Sequence, residues 1–171
     1  ATNEVAKGEI RIVGLEGKAD VFLVGATRWA MTQTNETLRP RDRLRTRPNS
    51  RVSILFSDNS VVTFGALTEC EILSPRAREA ESGLHLIRGI LSFFHRDEPG
   101  RIRLITRGAT AGVKGTEFVA KVETVNGTER TTIWVIDGQV SFGNDQGTRE
   151  VTNLQQAVAE PGQSPFRTAG F

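Results

Sequence analysis

Apolar and polar residues alternate with period two along most of this chain. In Arg51-Val52-Ser53-Ile54-Leu55-Phe56, the residues Val52, Ile54 and Phe56 fall on one face, as the alternating side-chain directions of a strand require. Ser57-Asp58-Asn59-Ser60 follows as a turn and 61–64 returns, which predicts a hairpin. Leu84-His85-Leu86-Ile87-Arg88 leads through Gly89 into Ile90-Leu91-Ser92-Phe93-Phe94. Residues 101–106 alternate, and in 117–123 Phe118, Ala120 and Val122 share the inner face. Asn126-Gly127 separates 118–125 from 131–136, with residues suited to a turn that needs φ > 0. Asp137-Gly138 separates 131–136 from 139–142 in the same way, so three consecutive strands are expected to form a meander. Short strands are also expected near 10–13, 21–24, 28–31 and 156–160.

Only 75–82 has helix-like composition; it lacks an apolar stripe and reads as a charged loop. The pattern predicts an all-β chain: a sandwich, roll or short solenoid of many short strands with hairpin turns. A weak echo between 44–64 and 102–142 suggests an internally duplicated pattern.

Composition narrows the class. The 171 residues suit one domain, read as 1–171, and 37% hydrophobic with 25% charged residues excludes a disordered chain. A net charge of +2 is too small to imply nucleic acid, which is disfavoured as a partner. Cys70 is the single cysteine, so no intramolecular disulfide can form. It lies in the alternating run Thr68-Glu69-Cys70-Glu71-Ile72-Leu73 and reads as a buried structural thiol beside acids that raise its pKa. No run of about 18 apolar residues exists, so no membrane-spanning helix is expected. The chain starts Ala1-Thr2-Asn3 without Met and reads as a mature or excised fragment.

Catalytic patterns are missing from the sequence, so no enzyme and no cofactor is expected. His85 and His95 fall on neighbouring expected strands, without the spacing or further ligands of a metal site. There is no nucleophile elbow. Gly108-Ala109-Thr110-Ala111-Gly112-Val113-Lys114-Gly115-Thr116 approaches a phosphate-binding loop. Its register fails, because Gly115 follows Lys114, and an alternating strand rather than a helix comes next. Asn35-Glu36-Thr37 and Asn126-Gly127-Thr128 match the glycosylation sequon, the second being better explained as a turn.

One charge feature stands out: Arg39, Arg41, Arg43, Arg45 and Arg47 recur at spacing two. In an extended segment they form a row of guanidinium groups able to hold carboxylates or phosphates. Pro40 and Pro48 place the row on a sheet edge or loop. Two readings follow, a charged edge that resists aggregation and a surface for an acidic or polyanionic partner.

The order of elements resembles the FecR-type domain of bacterial envelope proteins. Arg41-Asp42 stands where that family has Gly-Asp, within 38–46, and Asn59 stands for Gly in its Asp-Gly-Ser hairpin. Arg88-Gly89-Ile90-Leu91 fits a Gly-Ile strand. Val113-Lys114-Gly115-Thr116-Glu117-Phe118 fits the most specific signature, and Asp137-Gly138-Gln139-Val140 the next. Gln155 replaces the glycine of a late Gly-Gln turn. The resemblance covers about 38–158; 1–37 adds strands and 159–171 reads as a tail or linker. Asn59 tolerates left-handed geometry, whereas Arg41 should give its turn a different shape. Val113, Lys114, Gly115, Thr116 and Phe118 are expected to be structural, with Gly115 allowing a bulge or close backbone approach.

The resemblance implies an extracytoplasmic, non-catalytic module, in the periplasm or cell envelope, that binds or scaffolds an unidentified protein. A periplasmic signal-receiving domain of a sigma-factor regulator is the first alternative. A carbohydrate- or polyanion-binding module using Trp29, Trp134 or the arginine row is the second.

Overall fold

A computed structural model describes residues 9–74, 82–96 and 99–168, and these hold strands and no helix. The charged stretch 75–82 lies outside the described residues except for Ser82, which opens a strand. In chain order the strands are β1 (Ile10–Glu16), β2 (Ala19–Phe22), β3 (Ala30–Met31), β4 (Thr37–Leu38), β5 (Arg43–Thr46), β6 (Arg51–Phe56), β7 (Val61–Phe64) and β8 (Glu69–Leu73). They continue with β9 (Ser82–Phe94), β10 (Gly100–Ile105), β11 (Thr110–Val125), β12 (Thr128–Asn144), β13 (Gly147–Thr152), β14 (Gln155–Ala159) and β15 (Phe166–Thr168). The segment expected as a tail therefore carries β15, paired to β14.

All strands join one mixed sheet, which three long strands fold into two layers. The first half of β9 pairs with β8 and β10, its second half with β7 and β11. The first half of β11 pairs with β10, and its second half with β9. In β12 the first half pairs with β14 and the second with β13. One layer thus runs β3-β2-β5-β8-β9-β10-β11-β12-β13, and the other β4-β1-β6-β7-β9-β11-β12-β14-β15. Every pairing is antiparallel except β9–β10.

Glycines mark the crossings. Before Gly89 the core-facing residues of β9 are Leu84 and Leu86; after it they are Leu91 and Phe93, a switch of parity. In β11 Ala111 and Val113 give way to Phe118 and Ala120 across Gly115, where the register shifts. In β12 Ile133 and Val135 give way to Val140 and Phe142 across Gly138. A bulge that shifts one residue sends the next side chains to the other face, which keeps both halves pointing at one shared core. Phe93 and Phe118 stack at the centre of one layer, with ring centroids 5.1 Å apart.

The Asp137-Gly138 pair is therefore not the expected hairpin turn: it lies inside the continuous strand β12. Gly138 is paired to Gly115, and a β-carbon on either would meet the other's backbone at 2.8 Å or closer. The pair is glycine so that two backbones can touch at a corner, not so that the chain can reverse. Asn126-Gly127 does reverse it, with φ of 51° and 80°, the two left-handed residues of a tight hairpin.

Arg41 also departs from expectation. It adopts φ 73°, the left-handed geometry a glycine would take, so the turn keeps its shape and the arginine carries the strain. Its side chain is exposed. Arg41→Gly is accordingly expected to stabilise the protein. The relief of about 1 kcal/mol is roughly halved by the greater freedom of glycine in the unfolded chain, which a denaturant melt would read as a higher midpoint.

Candidate functional site

The outer faces of the two layers differ in chemistry, and the registers show how. Across the first layer, Asp20 lies opposite Arg45, Arg45 opposite Glu69, and Glu69 opposite Arg88. Charges alternate in sign along this row, so each group meets its counter-ion on the next strand. Arg45 and Arg47 both donate to Asp20, at 3.3 and 2.7 Å. Arg43 meets Glu71 at 3.0 Å, Arg88 meets Glu69 at 3.0 Å, and Arg39 meets Glu9 at 3.3 Å. Arg45 also lies 4.1 Å above the Trp29 ring, which packs edge-on against Phe22.

The arginine row is thus placed differently from the sequence expectation. Arg43 and Arg45 sit on β5, an interior strand between β2 and β8, not on a sheet edge. Pro40 and Pro48 flank β5 without entering it, so its ladder loses no donor. The guanidinium groups of Arg39, Arg43, Arg45 and Arg47 hold the protein's own carboxylates.

Asp20 is 3% exposed, and its bonds with Arg47 and Arg45 hold its carboxyl below the ordinary value of 3.8 against the opposing effect of burial. A carboxylate whose folded pKa is depressed contributes stability above its unfolded pKa and loses it as pH falls through the folded value. The protein is expected to weaken as pH drops below about 4, and Asp20→Asn should flatten that part of a stability-against-pH curve.

The loops around this layer are tied by motif residues. Asp42 is buried; its Oδ1 accepts from the Val24 amide and its Oδ2 from the Arg39 amide, both at 2.8 Å. Thr46 Oγ1 donates to Gly65 O at 2.6 Å and accepts from the Thr68 amide at 2.9 Å. Thr68 Oγ1 in turn accepts from the Ile90 amide at 3.0 Å, just beyond the Gly89 crossing. The signature residues behave likewise. Val113 and Phe118 are core, Lys114 points outward from β11, and Thr116 Oγ1 bonds the Asp137 carboxylate across the strand pair rather than within a local turn.

Cys70 is fully buried, and burial together with Glu69 pushes its thiol pKa up. His85 and His95 belong to one strand and its end, not to neighbouring strands. His95 is buried, with Nε2 2.8 Å from Asp58 O and Nδ1 3.0 Å from Arg96 O, which fastens the β6–β7 hairpin to the end of β9. Among the described residues no group of three or more His, Cys, Asp or Glu is placed to hold a metal. No described helix is long and apolar enough to cross a membrane.

The second layer presents a different outer face. Ser53 lies opposite Thr63, Thr63 opposite Ser92, Ser92 opposite Val119, Val119 opposite Trp134 and Trp134 opposite Gln156. This row crosses six strands without a formal charge. Ile90 and Phe94 flank it on β9, Phe94 being 47% exposed. A shallow depression of about 370 Å³ opens here, lined by Arg51, Thr63, Ala66, Ile90, Ser92 and Val119 among others. The sequence reading did not identify this face. Its residues come from strands far apart in the chain, and the available signal was the outward position of Val119 and Trp134 in alternating strands.

Two crystal structures of a candidate anti-sigma factor from Parabacteroides distasonis ATCC 8503 share the fold, with TM-scores of 0.60 and 0.59 at 17% identity. Each alignment covers 75% of this chain and 59% of the other, so the chain spans about three fifths of those proteins. No curated protein matches the chain. The family model described as FecR protein matches residues 42–141, from the buried Asp42 past the β11–β12 crossing, and over that span the chain meets the family's pattern: it belongs to the FecR family.

Proposed function

We propose that this chain is a non-catalytic protein-interaction module of an extracytoplasmic signal regulator. The partner protein docks on the outer face of the second layer, along the uncharged row that crosses its middle. The carrying observation is the contrast between the two faces. Across β2, β5, β8 and β9 of the first layer carboxylates and guanidinium groups already satisfy one another, so a partner there would have to replace formed ion pairs. On the second, a row of hydroxyl and apolar side chains with Ile90 and Phe94 beside it can be desolvated at little cost. Membership of the FecR family and the fold shared with a candidate anti-sigma factor support a role in signal regulation.

Val119→Glu tests the site. It places a charge in the middle of the face while leaving the core residues Phe118 and Ala120 in place. In the full-length protein purified from its own cells it is expected to abolish co-elution of the partner on size exclusion, whereas Gln139→Glu, on the outer face of the first layer, leaves the complex intact. Equal behaviour of the two variants would refute the assignment.

A further inference from the structure

The depression on the second layer does not end at Ile90. A second one, of about 380 Å³, shares Ala66 and Ile90 with it and continues past Leu67, Arg88 and Lys121 to Glu129. Together they form one groove that turns over the corner where β9 crosses between layers. Gly65 makes the continuity possible: a β-carbon there would meet Ile90 Cγ2 at 2.6 Å, so glycine lets Ile90 lie flat in the floor.

Two features of this groove point outward to a ligand. Leu67, on its rim, is 59% exposed and holds φ 54°, a left-handed conformation that leucine adopts at a cost. Of the six other left-handed non-glycine positions among the described residues, Asn35, Asn49, Asn59 and Asn126 carry the residue that tolerates this geometry best after glycine, and Arg41 and Leu154 are the other two exceptions. Asparagine at this position would carry less strain. At the far end, Glu129 keeps Oε1 out of solvent with no hydrogen-bond partner. The nearby charges Lys121 and Arg88 are already engaged, with Glu123 at 2.8 Å and Glu69 at 3.0 Å. A buried carboxylate oxygen without a donor is an unmet demand for one.

We propose that this groove receives an extended peptide segment of the partner protein, with an apolar side chain set between Leu67 and Ile90 and a lysine or arginine reaching Glu129. The inference deepens the docking reading above and rests on it. Charge complementarity selects the basic residue: Glu129 is the one groove carboxylate without an ion pair among the described residues, and an ammonium or guanidinium group at this end of the groove neutralises it.

The test is selection of a phage-displayed library of random peptides on the purified chain, on Glu129→Gln and on Leu67→Asn. The chain is expected to enrich peptides that pair an apolar residue with a nearby Lys or Arg. Glu129→Gln should bind them about tenfold more weakly and lose the preference for the basic residue. Leu67→Asn should also weaken binding about tenfold while raising the melting temperature, which separates loss of contact from loss of fold. Enrichment of uncharged or acidic peptides, equal binding by the chain and Glu129→Gln, or no enrichment at all would overturn the proposal. If selection fails while Val119→Glu still breaks the partner complex, the docking face stands and the peptide chemistry falls.

Discussion

Gly115→Ala lowers the melting temperature by about 8–16 °C, whereas Gly112→Ala, three residues earlier on the same strand, shifts it by less than about 2 °C. The two positions differ in what an added methyl group meets. At Gly112 there is open space, with nothing within 4 Å. At Gly115 a β-carbon would stand 2.6 Å from Asp137 O and 2.8 Å from Gly138 Cα, and both are backbone atoms that no rotamer change can move. β11 and β12 would have to separate at a point where both cross between layers, which disturbs the register on each side. We assign this about 4 kcal/mol, the upper range for overpacking combined with backbone strain. Against a total stability of about 5–15 kcal/mol that is a large fraction. Gly138→Ala should match it, since its β-carbon would meet Gly115 Cα at 2.7 Å. Gly89→Ala should too, since Thr68 Cα lies 2.5 Å away and φ is 99°. Thermal denaturation of the four alanine variants side by side checks the whole series.

Asp42→Ala is the second large effect, expected to cost about 2–4 kcal/mol. The carboxylate is 4% exposed and satisfies two backbone amides, those of Val24 and Arg39, from two different connections. Removing it costs two hydrogen bonds to a charged acceptor, each worth about 1.5–3 kcal/mol before water replaces it at the exposed Val24 and Arg39. Hydrogen exchange identifies the cause: the Val24 and Arg39 amides should lose protection beyond the global loss of stability. The Arg45 and Leu44 amides, in the β2–β5–β8 ladder, should follow the global change alone. Uniform exchange across all four would mean that Asp42 acts through the core rather than through these two bonds.

The strands were legible because period-two alternation depends only on which face is buried. It predicted the β6–β7 hairpin, β10 and the Asn126-Gly127 turn close to their observed places. It misread Asp137-Gly138, since glycine in a turn and glycine at a corner look alike until the partner residue is known, and that partner is Gly115, 23 positions away in the pairing register. The flip of core-facing parity across Gly89, Gly115 and Gly138 is written in the sequence. It becomes a signal only when the residues on either side are taken as one strand. The arginines misled for a related reason: their partners Asp20 and Glu71 lie on β2 and β8, so spacing two showed a row of positive charge where the fold makes alternating pairs. The uncharged row was harder still, because six strands supply one residue each and none is unusual alone.

A partner docked on the second layer's outer face would lie within reach of Ser92 and away from Ser141. Site-specific photo-cross-linking in the full-length protein, inside its own cells, reads this directly. A photoreactive residue at Ser92, in the middle of that face, is expected to give a discrete adduct with one protein partner, and the same group at Ser141, on the outer face of the first layer, to give none. An adduct from Ser141 with none from Ser92 would place the partner on the first layer instead.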